Sequence, residues 1–461
     1  MEQAPTKPGP PAVALAHPST LPQRLVHECI LAPILPPRPR ALRYPEALQN
    51  ILGLKCVTCG AIYSTRVPYT CPSCGTTDGI LDVQFDYNGI AHALTRRTLA
   101  ARSDRSHWRY RELLPIRTGA KLPDLSIGWT PVTPTDRLAR HIGLTSLFIK
   151  DDGRNPTGSL KDRASSLGAA RCHAKRQKII ACAGTGNAAF SLAGVAASMG
   201  LRGVIFVPQR APDAKLTQLL IFGATVIRVQ GSYEDAFQLC QRSCERRGWY
   251  NRNSAINPYL VEGKKTVSFE ICEQLDWQPP DWVAVPVGNG CTIAGIWKGF
   301  REMRQIGIIE RTPRILGVQA VGAAPISEAF LTGQPLRRIE PQSIADSIAI
   351  GFPRNWRKAA TAVRESGGTM LNVTDDEILD AMRYTGRLTG IFAEPAAAAS
   401  VAGLKAAVAQ GIVGRRANCL AIVTGNGLKD TQARHAVKGP FEIPPDGAGL
   451  DDILKSESLA N

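Results

Sequence analysis

Two residue patterns in this chain are suited to chemistry: paired cysteines, and a lysine set among glycine-rich turns. Four cysteines fall as Cys56-x2-Cys59-x11-Cys71-x2-Cys74. A Cys-x-x-Cys turn aims two thiolates at one point, and two such turns make a tetrahedral sulfur site suited to Zn²⁺. Gly60 and Gly75 follow the second cysteine of each pair, where the turn needs a residue free to take positive φ. A filled four-sulfur site leaves no open coordination position, so the metal expected at Cys56, Cys59, Cys71 and Cys74 is structural. The other eight of the twelve cysteines are scattered, and the whole pattern reads as reduced and cytoplasmic.

The lysine lies in Asn155-Pro-Thr-Gly-Ser-Leu-Lys161-Asp-Arg163. Pro156 and Gly158 set a turn, and Lys161 falls in the first turn of the helical window that follows. An amine there, beside a positive helix end and Arg163, is pushed toward the neutral form that Schiff-base chemistry requires. Two further loops, Ala183-Gly-Thr-Gly-Asn187 and Pro286-Val-Gly-Asn-Gly-Cys-Thr292, each link an apolar strand to a helix. Backbone N–H groups in such loops grip anions. Neither loop matches the P-loop or the G-x-G-x-x-G fingerprint. A third turn, Val423-Thr-Gly-Asn-Gly427, follows the last strand. All three sit beyond the carboxyl ends of strands, where open parallel sheets bind ligands.

The elements that must position these residues alternate in type. Apolar β-type runs at Leu147–Lys150, Ile179–Ala183, Gly203–Val207, Thr225–Val229, Trp282–Pro286, Ile315–Gln319 and Leu420–Thr424 predict buried strands. Helical windows between them cover Lys161–Arg176, Ala214–Phe222, Tyr233–Arg247, Thr266–Leu275, Ile293–Arg304, Asp375–Thr389 and Ala396–Gln410. The alternation implies an α/β fold with parallel sheets covered by helices. The charge-free stretch 179–201 is long enough to suggest a membrane span, but its glycines, serines and Asn187 predict a strand, a turn and a helix from Asn187 to Met199 instead. Cys240 and Cys244, four apart on a helical window, read as a core-facing pair, and the alanine run 396–402 reads as close helix packing.

Composition bounds the function. The 461 residues carry 55 Lys+Arg against 39 Asp+Glu, a formal charge of +16. The excess admits nucleic acid, anionic lipid or a phosphorylated small molecule as partner. Residues 1–50 are Pro-rich and contain no basic run, and aromatic residues make up 6% of the chain, which argues against a nucleic-acid arm or a base-stacking platform. No membrane partner is expected. The expected organisation is a flexible extension (1–50), a four-cysteine zinc knuckle (51–85), a catalytic domain (86–438) and a flexible tail (439–461).

Taken together, Asn155–Arg163, the Gly186-Asn187 turn, the loop 288–292 and Thr424-Gly-Asn-Gly427 resemble pyridoxal-phosphate enzymes of the tryptophan-synthase-β fold type. Asn257-Pro-Tyr-Leu-Val-Glu-Gly-Lys-Lys-Thr266, Phe392-Ala-Glu-Pro395 and the cysteine knuckle make threonine synthases the most similar group. The resemblance covers about residues 50–435. It implies two parallel-sheet α/β subdomains with a zinc-ribbon-like knuckle ahead of them, and a homodimer. It also implies that Lys161 holds pyridoxal phosphate covalently and later moves protons. Asn187 would hydrogen-bond the phenolic oxygen, Gly288, Asn289, Gly290, Cys291 and Thr292 would bind the cofactor phosphate, and Thr424 would face the pyridine nitrogen. The implied reaction turns O-phospho-L-homoserine and water into L-threonine and phosphate.

The chain departs from that family's pattern at Ala188, at Leu260, where an arginine often helps grip the substrate phosphate, and around Asp346. An ammonia-lyase of the serine/threonine dehydratase type, or a β-replacement synthase acting on an activated serine, is therefore the alternative with the same cofactor. Lys264, Lys265, Arg163 or Arg252 could supply a replacement charge; each reads first as a surface cation.

Overall fold

Successive residues of Trp282–Pro286 point to opposite faces: Val283 and Val285 enter one hydrophobic cluster, Trp282 and Ala284 another. A strand buried on both faces is what its unbroken apolar run requires. It is an inner strand of a six-stranded sheet ordered Thr369–Val373, Arg314–Ala320, Trp282–Pro286, Asn418–Val423, Ser146–Asp151, Val132–Pro134. All neighbours are parallel except the last pair, where the short edge strand Val132–Pro134 runs antiparallel. A second, fully parallel sheet has four strands, in the order Thr225–Val229, Arg202–Pro208, Ile179–Ala183, Tyr250–Asn251. Here Ile180 and Cys182 pack to one side, Ala181 and Ala183 to the other. The structure, a computed structural model, describes residue 48, residues 50–437 and residues 440–456. Nearly all of the expected N-terminal extension and the final residues 457–461 of the expected tail lie outside the described residues.

The two parallel sheets are the expected pair of α/β subdomains. The stretch 179–201 resolves as predicted into the strand Ile179–Ala183 and the helix Asn187–Ser198, and among the described residues no helix is long and apolar enough to cross a membrane. The helix Pro395–Ala409 is buried along most of its length against the six-stranded sheet. A Cβ on its Gly403 would fall 2.3 Å from Val318, so the alanine run is there for close packing. Cys240 and Cys244 are both buried in the core.

A third, antiparallel sheet of Ile51–Cys56, Ile62–Tyr63 and Leu81–Phe85 carries the cysteine knuckle. Leu54, Leu81, Val83 and Phe85 share one hydrophobic cluster with Val267, Phe269 and Val283. A buried ion network stitches the same boundary. The Lys298 ammonium donates to Asp82 (3.0 Å) and Val83 O (2.7 Å) of the knuckle sheet and to Glu262 (2.8 Å). The Lys265 ammonium in turn pairs with Glu262 at 2.6 Å and Glu302 at 2.7 Å. Toward the other end of the chain, the described part of 439–461 includes one short helix, Leu450–Ser456, with no buried residue.

Candidate active site and metal centre

The lysine turn is built from its own polar residues. Asn155 accepts from Gly128 N–H (2.9 Å) and donates to Asp152 O (2.9 Å), fixing the entry. Gly158 takes φ +74°, and the Asp162 carboxylate closes the turn by accepting from the Thr157 N–H (2.7 Å) and hydroxyl. Lys161 is then the first residue of the helix Lys161–Ala174. The last glycine turn clamps the same segment: Leu160 N–H donates to Thr424 O (2.9 Å) and Asn426 N–H to Gly158 O (3.0 Å).

Lys161 opens into an inner cleft of about 930 Å³, lined also by Arg252, Ser254, Lys264, residues 286–293 and Thr424. Gly288, Asn289, Gly290, Cys291 and Thr292 therefore come together with Lys161 and Thr424, as the sequence predicts. Gly290 has φ +87° and caps the helix Cys291–Gln305. A Cβ there would lie 2.6 Å from Asn355 O, so the position demands glycine twice over. The first ladder bond of that helix runs from Ala294 N–H to Gly290 O. The N–H groups of Cys291, Thr292 and Ile293 precede that ladder at a cleft-lining helix end, and such groups suit an anion. These residues fit a phosphorylated aldehyde cofactor: an amine, an anion cradle and a ring-sized space in one cleft.

Asn187 stands at the edge of this space, lining an outer cleft of about 1640 Å³ that shares Lys161 and Asn289 with the inner one. Its amide nitrogen donates to both Glu394 oxygens (2.9 and 2.8 Å) and to Ser347 Oγ (3.2 Å), and its oxygen accepts from the Lys429 ammonium (2.5 Å). Burial raises the Glu394 carboxyl above its ordinary range, with Lys429 and Asn187 opposing. Burial lowers the Lys161 ammonium, with Glu394 opposing and Arg252 adding to the effect.

Four expectations change here. Arg163 does not stand beside the Lys161 amine; it turns into a buried network with Asp152 (2.8 Å) and Glu270, which also takes Lys150 (2.7 Å). The cation that lowers Lys161 is Arg252. Arg163, Arg252, Lys264 and Lys265, read as surface charges, are all buried, at 0–2% exposure. Leu260 does not line the cleft; it is buried against the lysine helix, where a Cβ on Gly168 would fall 3.0 Å from its side chain. Asp346 lines the outer cleft and is paired with Lys215 at 2.6 Å, so it is not a bare charge against a phosphate.

The four knuckle cysteines converge as their spacing predicts, with all Sγ atoms within 4.8 Å of one another and Cys59 and Cys71 at 3.8 Å. A tetrahedron with metal–sulfur bonds of ~2.3 Å has edges of ~3.8 Å, so the donor set fits Zn²⁺. Gly60 and Gly75 take φ +76° and +71°, and each donates its N–H to the backbone oxygen of the first cysteine of its pair.

Comparison with known proteins gives the chemistry a family. Residues 124–425 match the family described as pyridoxal-phosphate dependent enzyme. A threonine synthase of Methanocaldococcus jannaschii is 40% identical over 87% of this chain and 99% of its own length, and one of Methanosarcina acetivorans is 42% identical over 82% and 92%. This chain belongs to the threonine synthase family. A third threonine synthase, of Mycobacterium tuberculosis, is 38% identical over 76% of this chain and 94% of its own. The fold is likewise similar to that of the processed threonine deaminase isoform 2 of Solanum lycopersicum (TM-score 0.58, 21% identity, 67% of this chain and 87% of that one). It also resembles a fungal L-serine ammonia-lyase of Rhizomucor miehei (TM-score 0.59, 18% identity, 67% and 98%). As a threonine synthase family member the chain is a pyridoxal-phosphate dependent lyase. Of the polar residues around its lysine, Ser347 and Lys429 were not assigned there by sequence; Arg252 and Lys264 were named only as candidate replacement cations, and Glu394 only as part of a motif.

Proposed function

We propose that this chain converts O-phospho-L-homoserine and water into L-threonine and phosphate. The observation that carries the reading is the lining of the inner cleft: one amine at a helix start, a strand-to-helix cradle of backbone N–H groups, two more cations, and no aspartate or glutamate among the described residues. Lys161 would hold pyridoxal phosphate, Gly288 to Thr292 its phosphate, Asn187 its phenolic oxygen, and Thr424 would face its ring nitrogen. The bound cofactor supplies an electron sink for the carbon that bears the substrate amine. Lys161 Nζ, favoured in its neutral form, takes the α-proton and later moves a proton at the β-carbon. Thr424 offers a hydroxyl where a carboxylate would stabilise a charged ring nitrogen, which suits elimination and replacement. Glu394 and Lys429 hold the Asn187 amide from both sides.

The same reading extends to the rest of the chain. Cys56, Cys59, Cys71 and Cys74 would hold a structural Zn²⁺, a role supported by their mutual distances. Residues 51–85 would be the knuckle, 86–438 the catalytic domain, and 1–50 and 439–461 extensions. A cytoplasmic location is supported by the eleven described cysteines, all free of disulfides. A homodimer follows from the family resemblance.

Purified holoenzyme offered O-phospho-L-homoserine should release phosphate and form threonine. Ammonia release from serine or threonine, with no phosphate released from the phosphorylated substrate, would replace this reading with the ammonia-lyase alternative.

A further inference from the structure

We propose that the cysteine knuckle is an oxidant-reactive site, taking a hydroperoxide at Cys59 and Cys71, and that its state reaches the cofactor cradle through Asp82. The metal part of the proposal rests on the reading of the four cysteines as a Zn²⁺ site.

Reactivity begins with access. The described cysteines outside the knuckle are all buried, whereas Cys59 is exposed and Cys74 half-buried. Cys56 and Cys59 also line a groove of about 1220 Å³ between the knuckle sheet and the helices Cys291–Gln305 and Trp356–Glu365. Lys55, Arg357 and Lys358 stand in its walls. Partly exposed thiolates among cations are the ones that oxidants reach and attack.

The chemistry closes on the residues present. The Cys59 sulfur attacks a hydroperoxide oxygen, the O–O bond breaks, and Cys59 is left as a sulfenic acid. Cys71, whose Sγ is 3.8 Å away, displaces that oxygen and forms the S–S bond. Two thiolates, one hydroperoxide and two protons thus give one disulfide, one alcohol and one water. The sulfurs lose the two electrons that the peroxide oxygens gain. With two of four thiolates gone, the tetrahedral donor set is broken and Zn²⁺ is released.

Asp82 carries the change inward. On the antiparallel ladder Cys56 pairs with Leu81 and Lys55 with Asp82, so Asp82 stands one residue beyond the partner of a knuckle cysteine. Its carboxylate accepts from both the Lys298 (3.0 Å) and the Lys358 ammonium. Lys298 belongs to the helix Cys291–Gln305, which starts in the cradle, and Lys358 to the helix Trp356–Glu365. Asn355, the residue before that second helix, donates its N–H to Asn289 O (3.1 Å), and its own oxygen is the atom that a Cβ on Gly290 would meet. One carboxylate of the knuckle sheet therefore tethers both helices that frame residues 288–292. Loss of the metal loosens the strand ends that place Asp82, and the cradle loses both tethers together.

The probe is hydrogen peroxide, added to holoenzyme in a Cys29→Ser background, since Cys29 lies outside the described residues. Zinc released to a chromophoric indicator, disulfides mapped by peptide mass spectrometry, and pyridoxal-phosphate affinity by absorbance titration are read in parallel. Expected are a Cys59–Cys71 disulfide, zinc release, and cofactor binding weakened ~10-fold, the worth of a charge-assisted hydrogen bond. Dithiothreitol with Zn²⁺ should reverse all three. Asp82→Asn should release zinc as readily, while its cofactor affinity changes by less than ~3-fold on oxidation. Should that variant fail to fold, Lys358→Gln cuts one of the two tethers and should shrink the oxidation effect. Cofactor loss with the knuckle thiols intact overturns the proposal and assigns the oxidation to a buried thiol such as Cys291. Knuckle oxidation with unchanged cofactor affinity, or with an equal drop in the folded Asp82 or Lys358 variant, overturns the route through Asp82. Protein isolated without zinc would end the metal reading alone, and the disulfide map and cofactor titration would still decide the rest.

Discussion

The amide nitrogen of Asn187 lies 2.9 and 2.8 Å from the two carboxylate oxygens of Glu394, residues that are 207 positions apart in the chain. The pair joins the first glycine loop to the segment leading into the helix Pro395–Ala409. It holds Asn187 at the edge of the cleft where the cofactor's phenolic oxygen is expected. Glu394→Gln keeps a neutral acceptor for that amide and should retain cofactor binding near the wild-type level. Glu394→Ala removes it and should weaken cofactor affinity ~10-fold, one hydrogen bond's worth. Spectrophotometric titration with pyridoxal phosphate checks both; equal affinities in the two variants would dismiss the pairing as incidental.

Lys161→Ala should abolish both turnover and the absorbance band near ~410–430 nm that a lysine-bound pyridoxal group gives. Wild-type protein that shows no such band with added cofactor would end the assignment of Lys161.

Removal of metal from the cysteine knuckle should destabilise more than the knuckle, because Lys298 bridges Asp82 of that sheet to Glu262 of the catalytic body. Chelation, or Cys59→Ser, should lower Tm by at least ~5 °C, reversibly on adding Zn²⁺ to the chelated wild type. A metal-free protein of unchanged Tm, by calorimetry, would remove the structural role.

Leu260→Arg restores the residue type that the family often places there, yet this structure predicts loss rather than gain. The position is fully buried beside Gly168, away from the cleft lining. The variant should lose about 3–5 kcal/mol of stability, as an uncompensated buried charge does, measured by urea unfolding. A stable variant with a lowered KM for phosphorylated substrate would contradict that placement.

His107 should govern part of the acid sensitivity. It is fully buried with Nε2 2.9 Å from Ser166 Oγ, and burial, aided by Arg163, pushes its pKa from 6.5 down to about 3. The folded value lies below the unfolded one, so its contribution is whole above pH 6.5 and is lost as pH falls from there toward about 3. Replacing it with glutamine should flatten the stability profile over that window, by at most about 1.4 kcal/mol per pH unit. Parallel urea-midpoint profiles for the two proteins would show that His107 is not the titrating group.

Much of the scaffold was legible because its signals are local. Ile179–Ala183, Thr225–Val229 and Trp282–Pro286 are strands over the residues predicted from their apolar runs. Tyr233–Arg247 and Asp375–Thr389 match their predicted helices, with capping boxes at Ser232/Asp235 and Thr374/Glu377. The helix Trp356–Glu365 and the edge strand Thr369–Val373 were not predicted; the strand is only partly buried and lacks a continuous apolar run. The glycine loops of the site were legible for the same local reason. The burial of Arg252 and Lys264, two of the four cations named as candidates, was not, because whether a cation is buried depends on segments distant in sequence. Glu262-Gly-Lys-Lys265 has the look of solvated charge, and only the packed fold turns it inward. Paired acids and bases inside a helix window otherwise rich in apolar residues were the available hint.

The clamp between the lysine turn and the last glycine loop has a consequence for the order of synthesis. Lys429 donates to Thr157 O across 272 residues of chain, and the neighbouring backbone bonds from Asn426 and to Thr424 join the same two segments. A nascent chain on the ribosome can form the four-stranded sheet while the Lys161 amine still lacks this clamp. The same final strand that joins the two parts of the six-stranded sheet thus also completes the setting of Lys161, so a chain cut before Asn418 would lose both together.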